Sequence, residues 1–313
     1  MFPILVEFWK IKIYTYGLFV ALGFIVGAEF SAREAKRRGE NPARVLDITF
    51  WVVILGVVGA RLLFIIMNIT DYISEPLKIL KIWEGGLAWY GGVLGATLAI
   101  VVYSKKFQLS IKKILDIIAA GTALGLSIGR WGCFSAGCCF GRTTSLPWAV
   151  IFKDPKSLAV VNVPIHPTQV YESFVSILIF AFLRGVATKT IFAPKEDFFI
   201  LIEWALIRFY ALGVGGGLTS FYWWDIPFFV CVLGVFYLFK LFGTKVNYFE
   251  GAIGSLWFIM YSIARFFLEY VRHKGGITGW IWEGKISTSH IVGITIFAIF
   301  SYLFFLWKKT KTK

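Results

Sequence analysis

The sequence predicts an all-α fold, a polytopic integral membrane protein with seven to nine transmembrane helices and a small extracytoplasmic loop region. It forms a single transmembrane domain over 1–313. Three observations predict this. Of the 313 residues 58% are hydrophobic and 19% aromatic, and the mean hydropathy is +0.74, well outside the range of a soluble domain. The apolar residues are gathered into stretches of about 20, the length a helix needs to cross a hydrocarbon core of roughly 30 Å. Finally, the basic residues fall in alternate connections between those stretches.

Nine stretches qualify: 14–30, 46–69, 86–103, 114–134, 169–186, 197–217, 225–242, 252–271 and 286–307. The first is read as a retained span, because Met1 to Lys12 carries Glu7 and Lys10 and lacks the small-residue cleavage site of a signal peptide. The pair 197–217 and 225–242 is the weakest: Glu203 and Arg208 interrupt its first member, and the glycine-rich, aromatic "GGGLTSFYWWD" joins the two. The outward connection 135–168 carries "TTSLPWAVIFKDPKSLAVVNVPIHP", whose alternation and prolines predict a short, irregular or β-containing loop. No internal repeat or low-complexity segment is visible.

A net charge of +14 raises the question of nucleic acid, but the basic residues are not gathered on one soluble segment, so no nucleic-acid partner is expected. They lie in "REAKRRGENPAR" (33–44), "SKKFQLSIKK" (104–113), "RGVATK" (184–189), "KLFGTK" (240–245) and the tail "WKKTKTK". By the positive-inside tendency these connections and the C-terminus face the cytoplasm, and the N-terminus faces out.

Ionisable residues inside spans cost about 2.5–3.5 kcal/mol each on insertion scales, so each one points to function. Arg61, Arg130, Arg265 and Glu269 all fall in the outward half of outward-running spans. Tyr16-Gly17, Trp89-Tyr90-Gly91-Gly92, "HPTQVYES" (166–173) and "STSH" (287–290) open inward-running spans at the same level. Glycines at 91, 92, 129, 132, 137 and 141 would let backbone approach a ligand there. Arginine is permanently charged and donates two parallel hydrogen bonds to phosphate. Several at outer-leaflet depth imply an anionic ligand that is mostly apolar, and a membrane phospholipid fits. The bland alternative is that Arg265 pairs with Glu269 at i,i+4 and Arg61 snorkels to the interface.

The stretches "GLFVALGFIVGA" after Tyr16, "IWEGGLAWYGGVLG" (82–95), "GLSIGRWGCFSAGCCFGR" (125–142), "HPTQVYES" and "YSIARFFLEYVR" (261–272) occur in the order seen in prolipoprotein diacylglyceryl transferases, and the chain resembles that family over most of its length. Residues 187–250 look like an insertion. The resemblance implies a bacterial inner-membrane enzyme that needs no metal or organic cofactor. It would move diacylglyceryl from phosphatidylglycerol to the lipobox cysteine of a prolipoprotein signal peptide, releasing glycerol 1-phosphate. It places Arg130 and Gly141 on the signature loop and Tyr16 on the tyrosine of the first span. Arg265 and Glu269 match the Arg/Glu pair of the penultimate span, and His166, Gln169, Tyr171 and Glu172 match the HPxQxYE motif. The chain departs from the family at Tyr90, where many members have histidine, and at Cys133, Ala136 and Cys138, where their loop has asparagines and a glutamate.

The implied chemistry is alkylation of a thiol of pKa about 8.5, with charge building on a departing phosphate. Arg130 and Arg265 suit the phosphate, with Arg61 in support and Gly91, Gly92 and Gly141 close by. Tyr90 would orient the phosphate or the thiol. His166 is either a base or a residue that caps and orients the chain. Glu269 is either a base or, preferably, the counter-ion of Arg265. Cys133, Cys138 and Cys139 face an oxidising compartment, and their CxxxxCC spacing matches no standard zinc or iron–sulfur pattern. A bridge from Cys133 to Cys138 or Cys139 is the leading reading, then buried free thiols, then thiol catalysis. His290 reads as a satisfied interfacial histidine and His273 as solvated surface. Two other functions stay open at this point: a phospholipid-binding relative without turnover, and a thiol-redox membrane protein using the cysteine loop.

Overall fold

The computed structural model describes residues 3–8, 11–80, 86–192, 198–199, 202, 205–206, 225–273, 280–281 and 286–310. Its long helices are α1 (Thr15–Arg37), α2 (Pro42–Met67), α4 (Trp89–Lys106), α5 (Ile111–Ala136), α6 (Thr168–Thr188), α7 (Asp225–Lys245), α8 (Ala252–Val271) and α9 (Thr288–Thr310), with a short α3 (Ile69–Ser74) between α2 and α4. Eight of the expected spans are therefore helices, and the protein is all-α and multi-pass. Among the described residues α1, α2, α6, α8 and α9 are long and apolar enough to cross a membrane. The ninth stretch, 197–217 with Glu203 and Arg208, lies mostly outside the described residues.

Helix boundaries follow local chemistry. Pro42 occupies the first turn of α2, where its missing N–H costs nothing, and the Asn41 side chain accepts from Ala43 N at 2.9 Å. At the far end of α5, Gly137 at φ +77° supplies the left-handed turn that stops the helix.

α6 is buried nearly all round, between α5, α7 and α8. Its Ser173 hydroxyl donates to Ser127 O at 2.7 Å on α5. α1 and α5 approach backbone to backbone: a methyl group on Gly23 would lie 2.5 Å from Gly125 O, and one on Gly27 2.7 Å from Gly121 O. Small residues four apart let helices meet in this way where no hydrophobic effect drives them together.

One end of the bundle is basic and pinned by ions. Glu34, 3% exposed, accepts from Arg37 at 2.6 Å, Arg38 at 2.5 Å and Arg184 at 2.7 Å. Asp116 accepts from the backbone N–H groups of Gly251 (2.8 Å) and Gly254 (2.9 Å) at the start of α8 and from the Tyr248 hydroxyl at 3.1 Å. The opposite end carries three small hairpins. β1 (Ile4–Phe8) pairs antiparallel with β2 (Ile11–Tyr14), β3 (Val150–Ile151) with β4 (Pro164–Ile165), and β5 (Trp280–Ile281) with β6 (Ile286–Ser287). The second lies in the loop where β structure was expected. The first was not foreseen, and Lys156 on that loop reaches its Glu7 at 3.3 Å.

Candidate functional site

The charged residues at the hairpin end form a continuous ladder across three helices. Arg130, near the end of α5, donates through Nη2 to Glu172 Oε1 of α6 at 2.6 Å. Tyr261 of α8 donates to the same oxygen at 2.6 Å, and Arg265 Nη1 lies 3.7 Å from the other. Arg265 Nη2 is 2.8 Å from Glu269 Oε2, which Arg272 approaches at 3.8 Å, and the Ser287 hydroxyl donates to Glu269 Oε1 at 3.3 Å. Helical periodicity builds the α8 part, since 261, 265 and 269 recur at the four-residue spacing of one face, and Arg272 follows as the extended residue that caps the helix. Three guanidiniums thus meet two buried carboxylates, leaving a net positive site.

Three buried polar atoms of this layer lack a hydrogen-bond partner among the described residues: Arg130 Nε, Gln169 Oε1 and Glu269 Oε2, the last held only by its ion pairs. A buried group left this way costs about 1–3 kcal/mol, which a fold concentrates in one place where a ligand is meant to complete it. Beside the ladder, α8 and α9 leave an apolar groove of about 180 Å³ lined by Ser262, Phe266, Phe267, Gly293, Ile294 and Phe297. The groove shares helix α8 with the ladder, although none of the ladder's charged residues lines it.

The HPxQxYE residues frame this ladder. Gln169 Nε2 donates to Cys138 O and the Thr168 hydroxyl to Cys139 O, both at 2.6 Å, so the start of α6 holds the cysteine turn. Gly141 donates its N–H to His166 O at 2.9 Å, and a methyl group there would lie 2.5 Å from His166 Cβ and 2.8 Å from Val271 O. Only glycine fits between these two strands of chain. The Tyr171 hydroxyl accepts from Trp148 Nε1 at 2.8 Å and lies 3.2 Å from His166 Nδ1. Burial, followed by the charge of Arg142, holds the pKa of His166 below the ordinary imidazole value. The contact with Tyr171 occupies Nδ1, and which partner donates follows the tautomer of the ring.

Tyr16 joins the group through the α1–α5 contact. A methyl group on Gly132 would lie 2.9 Å from Tyr16 O, and the half-exposed phenol sits within electrostatic range of Arg130 and Cys133.

Other expected site residues are placed elsewhere. Arg61 donates from Nε to Ile79 O at 3.1 Å, from Nη1 to Gly86 O at 3.0 Å and from Nη2 to Lys78 O, and it lies over the Tyr72 ring. It ties the connection after α3 onto α2, because a buried guanidinium satisfies its donors with whatever carbonyls lie nearest. Gly91 serves the α2–α4 packing, since a methyl group there would lie 2.2 Å from Gly59 O; Gly92 faces the same helix with ordinary spacing. Tyr90, exposed, starts α4 beside them. The described polar contacts of the ladder come instead from α5, α6, α8 and the turn before α9.

The expected disulfide is not formed. Cys133, Cys138 and Cys139 are free, with sulfurs within 4.8 Å of one another, against about 2.05 Å for a bond. Backbone makes the link in its place: Cys138 N donates to Cys133 O at 3.1 Å, and the Cys138 thiol points at that same carbonyl, 3.7 Å away. Arg130 Nη1 donates to Cys133 Sγ at 3.8 Å. His290 is fully buried, not interfacial; its Nδ1 accepts from Ser287 N at 3.0 Å while its Nε2 makes no hydrogen bond among the described residues, and the exposed His273 stacks on Phe140 at 5.0 Å. Sequence reasoning missed Tyr261, Arg272 and Ser287, although the helical spacing from Arg265 pointed to the first.

A family model described as prolipoprotein diacylglyceryl transferase matches residues 3–216. Similar proteins include the phosphatidylglycerol–prolipoprotein diacylglyceryl transferase of Clostridium tetani, 37% identical over 189 residues covering 60% of this chain and 75% of that one. The protein of the same name from Trichormus variabilis is 37% identical over 195 residues, 60% and 69% of the two chains. A second such transferase of Clostridium perfringens is 28% identical over 295 residues, 94% and 90% of the two chains.

Proposed function

This chain belongs to the prolipoprotein diacylglyceryl transferase family, and on that premise we propose that it transfers diacylglyceryl from phosphatidylglycerol to the lipobox cysteine of prolipoproteins, the first step of lipoprotein maturation. The observation that carries the reading is Arg130: half-buried, held on one nitrogen by Glu172, with its buried Nε unmatched among the described residues and an apolar groove on the same helix as Arg265. The phosphate of phosphatidylglycerol complements the first feature and its acyl chains the second.

In this reading the acceptor thiolate attacks the sp³ glyceryl carbon, a C–S bond forms, and the C–O bond to phosphate breaks with its electron pair leaving on glycerol 1-phosphate. Arg130 and Arg265 neutralise the charge that grows on that phosphate. Glu172 and Glu269 hold the two arginines apart and extended toward it, so both glutamates are counter-ions. His166 has its Nδ1 engaged with the Tyr171 hydroxyl and its carbonyl with Gly141 N–H, so it orients the Gly141 turn. The distribution of positive connections supports a ladder at the outer leaflet of a bacterial inner membrane, with the C-terminus in the cytoplasm and signal peptides and lipid arriving laterally. In the same proposal 187–250 is a family-atypical insertion.

The test is transfer of labelled diacylglyceryl from phosphatidylglycerol to a synthetic lipobox peptide by the purified protein. Transfer to the cysteine peptide, absent with its Cys→Ala control, is expected. Phosphatidylglycerol binding with no transfer would reduce the protein to a lipid-binding relative.

A further inference from the structure

The three helices of the ladder carry a second polar layer one turn deeper in the bundle. Ser127 precedes Arg130 by three residues on α5, Ser176 follows Glu172 by four on α6, and Trp257 precedes Tyr261 by four on α8, each on the side toward the basic end. The serines are matched: the Ser176 hydroxyl donates to Glu172 O at 2.7 Å, and Ser127 Oγ lies 3.2 Å from Ser173 Oγ. The indole is not. Trp257 Nε1 is buried and makes no hydrogen bond among the described residues, whereas a buried tryptophan N–H ordinarily has a partner. We propose that Trp257 Nε1 donates to an ester carbonyl of the donor lipid's phosphatidyl group, so that Trp257 selects diacyl lipids over their ether-linked counterparts; this rests on the transferase reading above.

Spacing supports the assignment. Arg130 and Tyr261 each donate to the same Glu172 oxygen at 2.6 Å, so they meet at one level. The helical rise of about 1.5 Å per residue sets Trp257 about 6 Å below Tyr261. In a phosphatidyl group the ester carbonyls stand about five or six bonds from phosphorus, a reach of about one helical turn, or about 5.4 Å. A phosphate at Arg130 Nε, itself unmatched among the described residues, therefore carries an ester carbonyl to the depth of Trp257 Nε1. The two open donors repeat the spacing of the lipid's two kinds of acceptor.

The indole is held in place before lipid arrives. It lies parallel to the Tyr261 ring, with 2° between planes and 5.7 Å between centroids, and Phe258 meets it edge-on at 4.5 Å. Phe258 in turn stacks on Phe300 of α9 at 3.9 Å. A donor fixed by packing loses little freedom on binding, so its hydrogen bond contributes to selection. An ether-linked lipid keeps the phosphate, the glyceryl carbons and the leaving group, and transfer from it makes and breaks the same bonds. It lacks only the carbonyls, and so leaves the indole unmatched.

Transfer to the lipobox cysteine peptide is measured with phosphatidylglycerol and with its dialkyl ether analogue of matched chain length. The full-length wild type is compared with Trp257→Phe, which removes the N–H and keeps an aromatic ring beside Tyr261. The wild type should prefer the diacyl donor by about 3- to 10-fold in kcat/KM, the range of one neutral hydrogen bond. In Trp257→Phe the diacyl rate should fall to the ether level while the ether rate holds. A purely structural role lowers both donors together, so equal loss overturns the proposal. A wild type without preference, or a preference that survives the substitution, overturns it as well. If Trp257→Phe does not fold, benzothienylalanine placed at Trp257, with sulfur for N–H in a ring of the same shape, replaces it in the comparison. Transfer from neither lipid removes the transferase reading, and the contact is then read from displacement of labelled phosphatidylglycerol. Stronger competition by the diacyl lipid in the wild type, lost in the variant, supports the contact; equal competition by both lipids in the wild type overturns it.

Discussion

The two ends of the bundle hold charge clusters of the same stoichiometry, three arginines to two carboxylates, and use them differently. At the basic end, Arg37, Arg38 and Arg184 surround Glu34, and Asp116 is closed by two helix N-terminal N–H groups and a tyrosine. At the hairpin end, Arg130, Arg265 and Arg272 meet Glu172 and Glu269, but Arg130 Nε and Glu269 Oε2 remain without a hydrogen bond among the described residues. Counting charges does not separate the two. Counting completed hydrogen bonds does, because a cluster that only holds helices together has no reason to keep buried atoms unmatched.

The contrast can be broken by experiment, and the largest effect is expected at the basic end. Glu34→Ala strands Arg38 and Arg184 in a buried place and should destabilise the protein by about 3–5 kcal/mol, while the folded fraction keeps its transfer rate. Thermal unfolding in detergent beside activity per folded molecule measures both; a loss of rate at unchanged stability would erase the distinction. The reverse result belongs to Arg130→Gln and Arg265→Gln: a 10²- to 10³-fold loss of transfer, about 2.7–4 kcal/mol of barrier, with folding intact. Normal activity in both would end the phosphate assignment.

A smaller effect should touch both ends at once. Gly125→Ala puts a methyl group 2.5 Å from Gly23 O in the α1–α5 seam, which carries Glu34 at one end and Tyr16 at the other. It should cost about 1–3 kcal/mol and also slow transfer. The same change at Gly129, where a methyl group meets nothing within 4 Å, should do neither.

The smallest effect concerns pH. His166 has a lowered pKa in the folded protein, so below about 6.5 the unfolded chain binds more protons and stability falls as pH falls through that window. In His166→Gln the fall should be shallower between about pH 5 and pH 8, read from unfolding midpoints. An unchanged profile would mean that other groups set it.

Much of this was legible in the sequence. Hydropathy marked the helices, alternating lysines and arginines marked the two ends, and the in-span Arg130, Arg265 and Glu269 marked the layer where the ladder lies. Other parts depend on contacts between residues far apart in the chain. Glu172 is the hub of the ladder because Tyr261, 89 residues later, and Arg130, 42 residues earlier, both reach one of its oxygens, and no local pattern announces that. Arg61 was equally costly and equally deep, yet it satisfies backbone carbonyls; a buried arginine declares a need for acceptors without naming them. The cysteines looked like a bridge because they face an oxidising compartment, and in the structure all three thiols are free. The glycine pairs Gly23/Gly27 and Gly121/Gly125 were visible as four-residue repeats, and their meaning as a helix seam was not read from the sequence.

The ladder also imposes a schedule on biosynthesis. Arg130 emerges 42 residues ahead of Glu172, which at ribosomal rates of about 5–20 residues per second is an interval of roughly 2–8 s. Throughout it, α5 offers the insertion machinery an uncompensated cation. Arg265 and Glu269 follow with α8, and Ser287 completes the set only as the last helix is delivered. The ladder is therefore complete only when α8 and the residues before α9 arrive, and a ribosome that stalls before residue 265 leaves Glu172 without Arg265 and Arg130 with a single carboxylate partner.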